Sequence, residues 1–201
     1  MNAIETRTVV VGTCELELRA AGEGKKMPGL VGYPALYDSR SSDLGGFVET
    51  IRQGTFSGAL QRAKDVVATI NHDRGKVLGR YPDPGTVRLS NNQKGLRMEI
   101  DELPDTSFAR DMVESLRRGD VRGMSFAFRT IEDAWREEIV DGQKMVVREL
   151  RDLELHDVSV VTDPAYPATE VGLRSLELFR AKARDGIGMF EMRLRLAEAT
   201  K

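Results

Sequence analysis

The residues best equipped for covalent chemistry lie in three short stretches: "INHDRG" with His72, "RGMSFAF" with Ser125, and "LELHDVSVV" with Glu154, His156 and Asp157. A serine hydroxyl is a poor nucleophile at neutral pH until a base takes its proton, and that base works best when a third group fixes its tautomer and orientation. One serine, one histidine and one acid or second histidine can fill those roles. In chain order they would be His72, Ser125 and a residue near position 156, although such groupings are recognised by geometry and not by order.

Each residue also has a plainer reading. His72 closes the apolar run "DVVATIN", in which Val66, Ala68 and Ile70 alternate, and an imidazole there can be a satisfied edge residue. In a strand, Met124, Phe126 and Phe128 face one way and Gly123, Ser125 and Ala127 the other, so the serine stands in a row of small side chains. That row leaves room for a substrate carbonyl, with backbone N–H groups near Gly123 as candidate oxyanion donors, or it receives another packed element.

Other chemistries find less support. "GMSFA" departs from the G-x-S-x-G elbow at its last position, and the chain has no H-E-x-x-H, paired C-x-x-C or G-x-x-x-x-G-K-[ST] stretch. No cofactor and no metal site is therefore expected, although a metal-dependent hydrolase using His72, Asp73 and His156 is an alternative. The single Cys14 reads as a small buried hydrophobe, and Trp135 and Tyr166 as core or surface aromatics.

The elements that must position these groups alternate like a sheet. "TVVVGTCELEL" and "LVGYPALYDS" read as strands. "FVETIRQGTFSGALQRA" reads as a short helix capped by Thr55 or Ser57, and "DVVATIN" as a strand. Paired strands follow, with turns at Pro84-Gly85 and Asn91-Asn92. The clearest helix is "PDTSFARDMVESLRRG", capped by Asp105 or Thr106, striped with Phe108, Met112, Val113 and Leu116, and stopped by Gly119. "VRGMSFAFRTI" and "REEIVDGQKMVVREL" predict a hairpin-like pair, the second folding about Asp141-Gly142, and "DLELHDVSVVTDPAY" a further strand. From Ser175 the chain becomes charged and proline-free, which predicts a helical tail.

Bulk properties fit one main domain. The 201 residues are 40% hydrophobic and 31% charged, and the net charge of −2 offers no electrostatic case for nucleic acid or a membrane surface. A lone cysteine suits a reducing compartment, and no uncharged apolar stretch reaches the roughly 18 residues needed to span a bilayer. The start lacks the features of a secretion signal, so a soluble cytoplasmic protein is expected.

Taken in order, "LVGYPALYDSRSSDLGGFVETIRQGTFSGAL", "INHDRGKVLGR", "GLRMEIDELPDTSFARDMVESLRRGDVRGMSFAF" and "LHDVSVVTDPAYPAT" resemble the HK97-type prohead maturation proteases of tailed bacteriophages. The resemblance covers roughly residues 4 to 172, and several motifs together are more specific than any one. It implies an α+β fold related to the herpesvirus assemblins, a compact and mostly antiparallel β-barrel wrapped by helices. The protease domain would be residues 1–174, followed by a helical C-terminal tail over 175–201. It implies a serine endopeptidase, with the family's histidine on His72 and its nucleophile on Ser125. The third member falls on Asp157, with His156 and Glu154 as alternatives, since the herpesvirus enzymes use a second histidine. Regular strand alternation would put residues 156 and 157 on opposite faces, allowing at most one to reach His72. The resemblance further implies the major capsid protein and the scaffold protein or scaffolding arm as partners, action on them and on the enzyme itself, a homo-oligomer, and a place inside the procapsid in the host cytoplasm. A non-catalytic capsid-binding scaffold module on the same fold is the alternative. The tail would serve as a partner helix, a self-cleaved arm or a helix docked on its own domain.

Overall fold

A computed structural model describes residues 3–9, 15–140, 142–162 and 173–181. In chain order the elements are β1 (Glu5–Val9), β2 (Glu17–Arg19), β3 (Gly29–Leu36), β4 (Val48–Ile51), α1 (Thr55–Arg62), β5 (Val66–Ile70), β6 (Asp73–Tyr81), β7 (Arg88–Asn91), β8 (Gly95–Ile100), α2 (Ser107–Arg118), β9 (Gly123–Val140) and β10 (Gln143–Val161). Strands dominate, with few helices, which makes this a mixed α+β fold.

One long hairpin organises the chain. The segments predicted as several shorter strands merge into β9 and β10, of 18 and 19 residues, because Val140 and Gln143 pair directly, with Gly142 at φ 78°. Asp141 lies outside the described residues, as do Cys14 and Tyr166. The free edge of β10 takes two parallel partners in succession, β4 along Val147–Leu150 and β5 along Asp157–Val160. Between them α1 crosses over and buries Phe56 and Ala59 in the core. Its N-cap is Gly54, at φ 85°, and not Thr55 or Ser57; the Thr55 hydroxyl instead donates back to the Arg52 carbonyl at 2.7 Å. The second helix ends as predicted on Gly119, left-handed at φ 78°, with Met112 and Val113 buried and Phe108 and Leu116 packed against the core.

The expected closed barrel is not what forms. The larger sheet runs β1-β9-β10-β5-β6 with β4 also on β10, the smaller runs β2-β3-β8-β7, and among the described residues no ladder joins them. They cohere through side chains: Met124, Phe126 and Phe128 of β9 share one apolar core with Leu30 of β3 and Leu96, Met98 and Ile100 of β8. The approach is close enough that a Cβ on Gly32 would lie 2.5 Å from Met124 Sδ. Each sheet keeps its own edges because packing, and not strand pairing, fills the space between them.

Residues 173–181 are helical. Leu176 is buried with Leu44 and Phe47, and the Phe179 ring stacks on Trp135 at 5.9 Å, so this first part of the predicted tail docks on the body. The rest of the tail, 182–201, lies outside the described residues. No helix among the described residues is long and apolar enough to cross a membrane.

Candidate active site

His72 lies beyond the end of its strand. Asn71 and His72 form a two-residue turn between Ile70 and Asp73, and both are left-handed, at φ 51° and 57°. A right-twisted hairpin with a two-residue loop favours that pair of conformations, and asparagine and histidine tolerate them better than branched residues do. The turn is tied to β10: the Asn71 N–H donates to the Val160 carbonyl at 2.9 Å, and the Asn71 side-chain oxygen accepts from the Thr162 N–H at 3.0 Å. The His72 N–H donates to Ser159 Oγ at 2.9 Å.

Ser125 faces this turn from the second residue after the start of β9. Its row of small side chains therefore receives the histidine loop, while Met124, Phe126 and Phe128 fill the core on the other face. Ser125 Oγ lies 2.7 Å from His72 Nε2 and 2.9 Å from the Arg7 carbonyl oxygen of β1. The hydroxyl proton thus has two acceptors within reach. In this structure Ser125 is fully buried, so a peptide carbonyl can meet it only after local opening. Gly123, the neighbour of the candidate oxyanion donors, begins β9 opposite Val161.

Asp157 owes its place to a one-residue irregularity. On β9 one step separates Phe128 from Ala127, whereas on β10 their partners are Leu155 and Asp157, which leaves His156 as the extra residue of a bulge. In an unbroken strand Leu153, Leu155, Asp157 and Ser159 would share one face. The bulge reverses the alternation: Leu153, Leu155, Val158 and Val160 enter the apolar core, while Asp157 and Ser159 pair opposite Ala127 and Ser125. Asp157 Oδ1 lies 2.6 Å from His72 Nδ1. A carboxylate can only accept, so the proton sits on Nδ1 and leaves the Nε2 lone pair directed at Ser125.

The other predicted groups do not join this line. His156 Nε2 is 3.9 Å from the Glu154 carboxylate and has no hydrogen-bond partner among the described residues, and Glu154 is bonded to Arg129 at 2.8 Å. The metal-site alternative also disperses. Asp73 accepts from the Gly75 N–H and pairs with Lys76, His72 is held by Asp157, and among the described residues no group of three or more His, Cys, Asp or Glu side chains converges as metal ligands.

Beneath the site lies a charge network that sequence reading missed. Glu5, Arg7, Glu49 and Arg148 are buried, and Arg148 bonds Glu5 at 2.7 Å, Glu49 at 3.0 Å and Asp133 at 2.7 Å. Arg7 closes the ring to Glu49 at 2.8 Å and Glu5 at 2.8 Å. Burial alone would raise the Glu5 carboxyl, but the hydrogen bond and charge of Arg148, with Arg7 and Thr130, outweigh it and hold the group below the ordinary glutamate range. Burial likewise opposes the charge on Arg148, and its carboxylate partners reverse the effect and keep it protonated. The network clamps β1, whose Arg7 carbonyl meets Ser125.

Comparison with known proteins places the chain in a family. The family model described as caudovirus prohead serine protease matches residues 14–182 of the chain. No curated protein and no solved structure matches it significantly.

Proposed function

The chain belongs to the caudovirus prohead serine protease family and is a serine peptidase, a hydrolase of peptide bonds, and we propose that Ser125 is its nucleophile, His72 its general base and Asp157 the group that orients the base. The observation that carries this reading is the unbroken chain from Asp157 through His72 Nδ1 and Nε2 to Ser125 Oγ, at 2.6 and 2.7 Å.

In the proposed mechanism His72 Nε2 takes the Ser125 proton as Oγ bonds to the peptide carbonyl carbon, and Asp157 stabilises the imidazolium that results. The imidazolium then gives its proton to the leaving amine as the C–N bond breaks, leaving an acyl-enzyme on Ser125. Water attacks that ester, His72 accepts the water proton and returns it to Oγ, and the product carboxylate departs.

The substrates proposed are the scaffold protein or the scaffolding arm of the major capsid protein, and the enzyme's own chain, with action inside the procapsid as a homo-oligomer. Family membership supports association with the capsid and its scaffold. The division into a protease domain over 1–174 and a tail over 175–201, and the relation to the herpesvirus assemblins, belong to the same proposal and rest on the motifs around His72 and Ser125.

The test is active-site labelling. A fluorophosphonate added to the folded full-length chain is expected to form one covalent adduct, mapped by peptide mass to Ser125 and absent from His72→Ala. An adduct on another residue, or equal labelling of the two proteins, would overturn the assignment.

A further inference from the structure

Beyond the three groups above, we infer that Ser159 is a positioning residue, which holds the His72 backbone so that its ring spans Ser125 and Asp157; this rests on the proposed roles of those three. Ser159 is fully buried and pairs with Ser125 across the β9–β10 ladder. Its hydroxyl lies next to the imidazole's own main chain and not next to the ring.

A serine hydroxyl has one proton and two lone pairs, and the contacts of Ser159 account for all three. It donates to the Thr69 carbonyl at 3.0 Å, with the Val160 carbonyl a longer second acceptor of the same proton at 3.3 Å, accepts from Thr69 Oγ1 at 3.1 Å, and accepts from the His72 N–H at 2.9 Å. The Thr69 contacts fix the hydroxyl from β5, and the remaining lone pair points at the turn. His72 needs such a fixture because a left-handed non-glycine residue persists only where its surroundings over-determine it.

The spacing adds to the argument. Asp157 and Ser159 lie two apart on the same face of β10, brought there by the His156 bulge, and each grips His72 at a different atom. One strand thereby fixes both the ring tautomer and the backbone from which the ring projects. Displacement of a reacting group by about 1 Å can cost on the order of a hundredfold in rate. With alanine at 159 the His72 N–H and the Thr69 hydroxyl both lose a buried partner, and the turn is free to shift.

The experiment follows Ser125 phosphonylation by a fluorophosphonate in the full-length chain, with wild type, His72→Ala, Ser159→Ala and Thr69→Val compared at one pH. Proton NMR of the downfield Nδ1–H signal shared between His72 and Asp157 is recorded alongside. Ser159→Ala is expected to stay folded by circular dichroism, to label about 10- to 100-fold more slowly, and to lose or broaden the downfield signal. A purely structural role would lower the melting temperature and leave both readouts in place, and labelling within twofold of wild type with an unchanged signal would overturn the inference. Should Ser159→Ala fail to fold, Thr69→Val decides: labelling slowed several-fold supports the inference, and an unchanged rate overturns it. Wild type unlabelled at Ser125, or His72→Ala as reactive as wild type, is instead the failure of the proposed nucleophile and base, and the role of Ser159 falls with them.

Discussion

Ser125 and Ser159 are register partners across β9 and β10, and they hold opposite ends of one residue: Ser125 Oγ lies 2.7 Å from the His72 ring, and Ser159 Oγ accepts from the His72 backbone at 2.9 Å. The histidine is therefore placed by the sheet's central hairpin, although it belongs to a turn at the sheet's far side.

The identity of the third group can be decided by substitution. Asp157→Asn leaves the shape of the site intact but lets the side-chain amide donate to Nδ1, which moves the imidazole proton to Nε2; cleavage is expected to fall by about 10³- to 10⁴-fold. His156→Ala and Glu154→Ala, which touch neither His72 nor Ser125, should stay within a few-fold of wild type. Rates measured on a common peptide substrate settle the matter, and a large loss on His156→Ala with a small one on Asp157→Asn would reverse the assignment.

Activity should depend on pH in one direction. A histidine changes charge between about pH 5 and 8, and once protonated its Nε2 has no lone pair for the Ser125 proton. The value of kcat/KM is expected to decline on acidification and to level off where the imidazole is neutral. A profile flat from pH 5 to 8 would remove His72 from the role of base.

The buried charge network predicts both a mutational and an acid effect. Arg148→Met leaves Arg7 as the one network cation facing the buried Glu5 and Glu49 and is expected to destabilise the fold by about 3–5 kcal/mol. Glu5 has a folded value below its ordinary one near 4.5, so its stabilising contribution is complete above that value and is lost as the pH falls through the lowered folded value. Urea titrations of wild type and Glu5→Gln should therefore show a stability difference that shrinks with acidification below about pH 4.5. A gap that widens there would contradict the network's sign.

Docking of the C-terminal helix should be separable from the main core. Leu176→Ala removes an apolar contact of about 2–5 kcal/mol, and a helix this short is marginal by itself. Hydrogen exchange is expected to quicken over residues 173–181 while β9 and β10 stay protected. Loss of protection in both strands would mean that the helix is integral to the domain.

Particular residues explain what could be read in advance. The Ser125 face was legible because the period of two runs unbroken from Gly123 to Phe128. Alternation also showed that His156 and Asp157 exclude one another. It could not choose between them, because the bulge is a property of the register between β9 and β10 and leaves no mark in either strand alone. Alternation alone makes Asn71-His72 a strand end, although asparagine in that position is itself a signal of left-handed turns. Ser159 has only a faint signal in the sequence, two polar residues spaced by two among valines in "DVSV". The charge network had no local signal: Arg148 and Glu5 are 143 positions apart, and Glu5 and Arg7 in "ETR" lie two apart, a spacing that suits a solvent face equally well. The barrel was inferred from resemblance, and the two open sheets differ from it because β3 and β8 meet β9 through side chains and not through a ladder.

The most direct test co-expresses the full chain with its capsid or scaffold partner, beside Ser125→Ala, and compares the intact masses of every product. Wild type should yield discrete cleavage fragments whose masses define the bonds cut, and Ser125→Ala, equally folded and bound to the shell, should yield none. Identical fragments from both proteins would show that Ser125 is not the nucleophile. Intact partners in both, with each protein folded and bound, would contradict proteolysis of these substrates and favour a scaffold module.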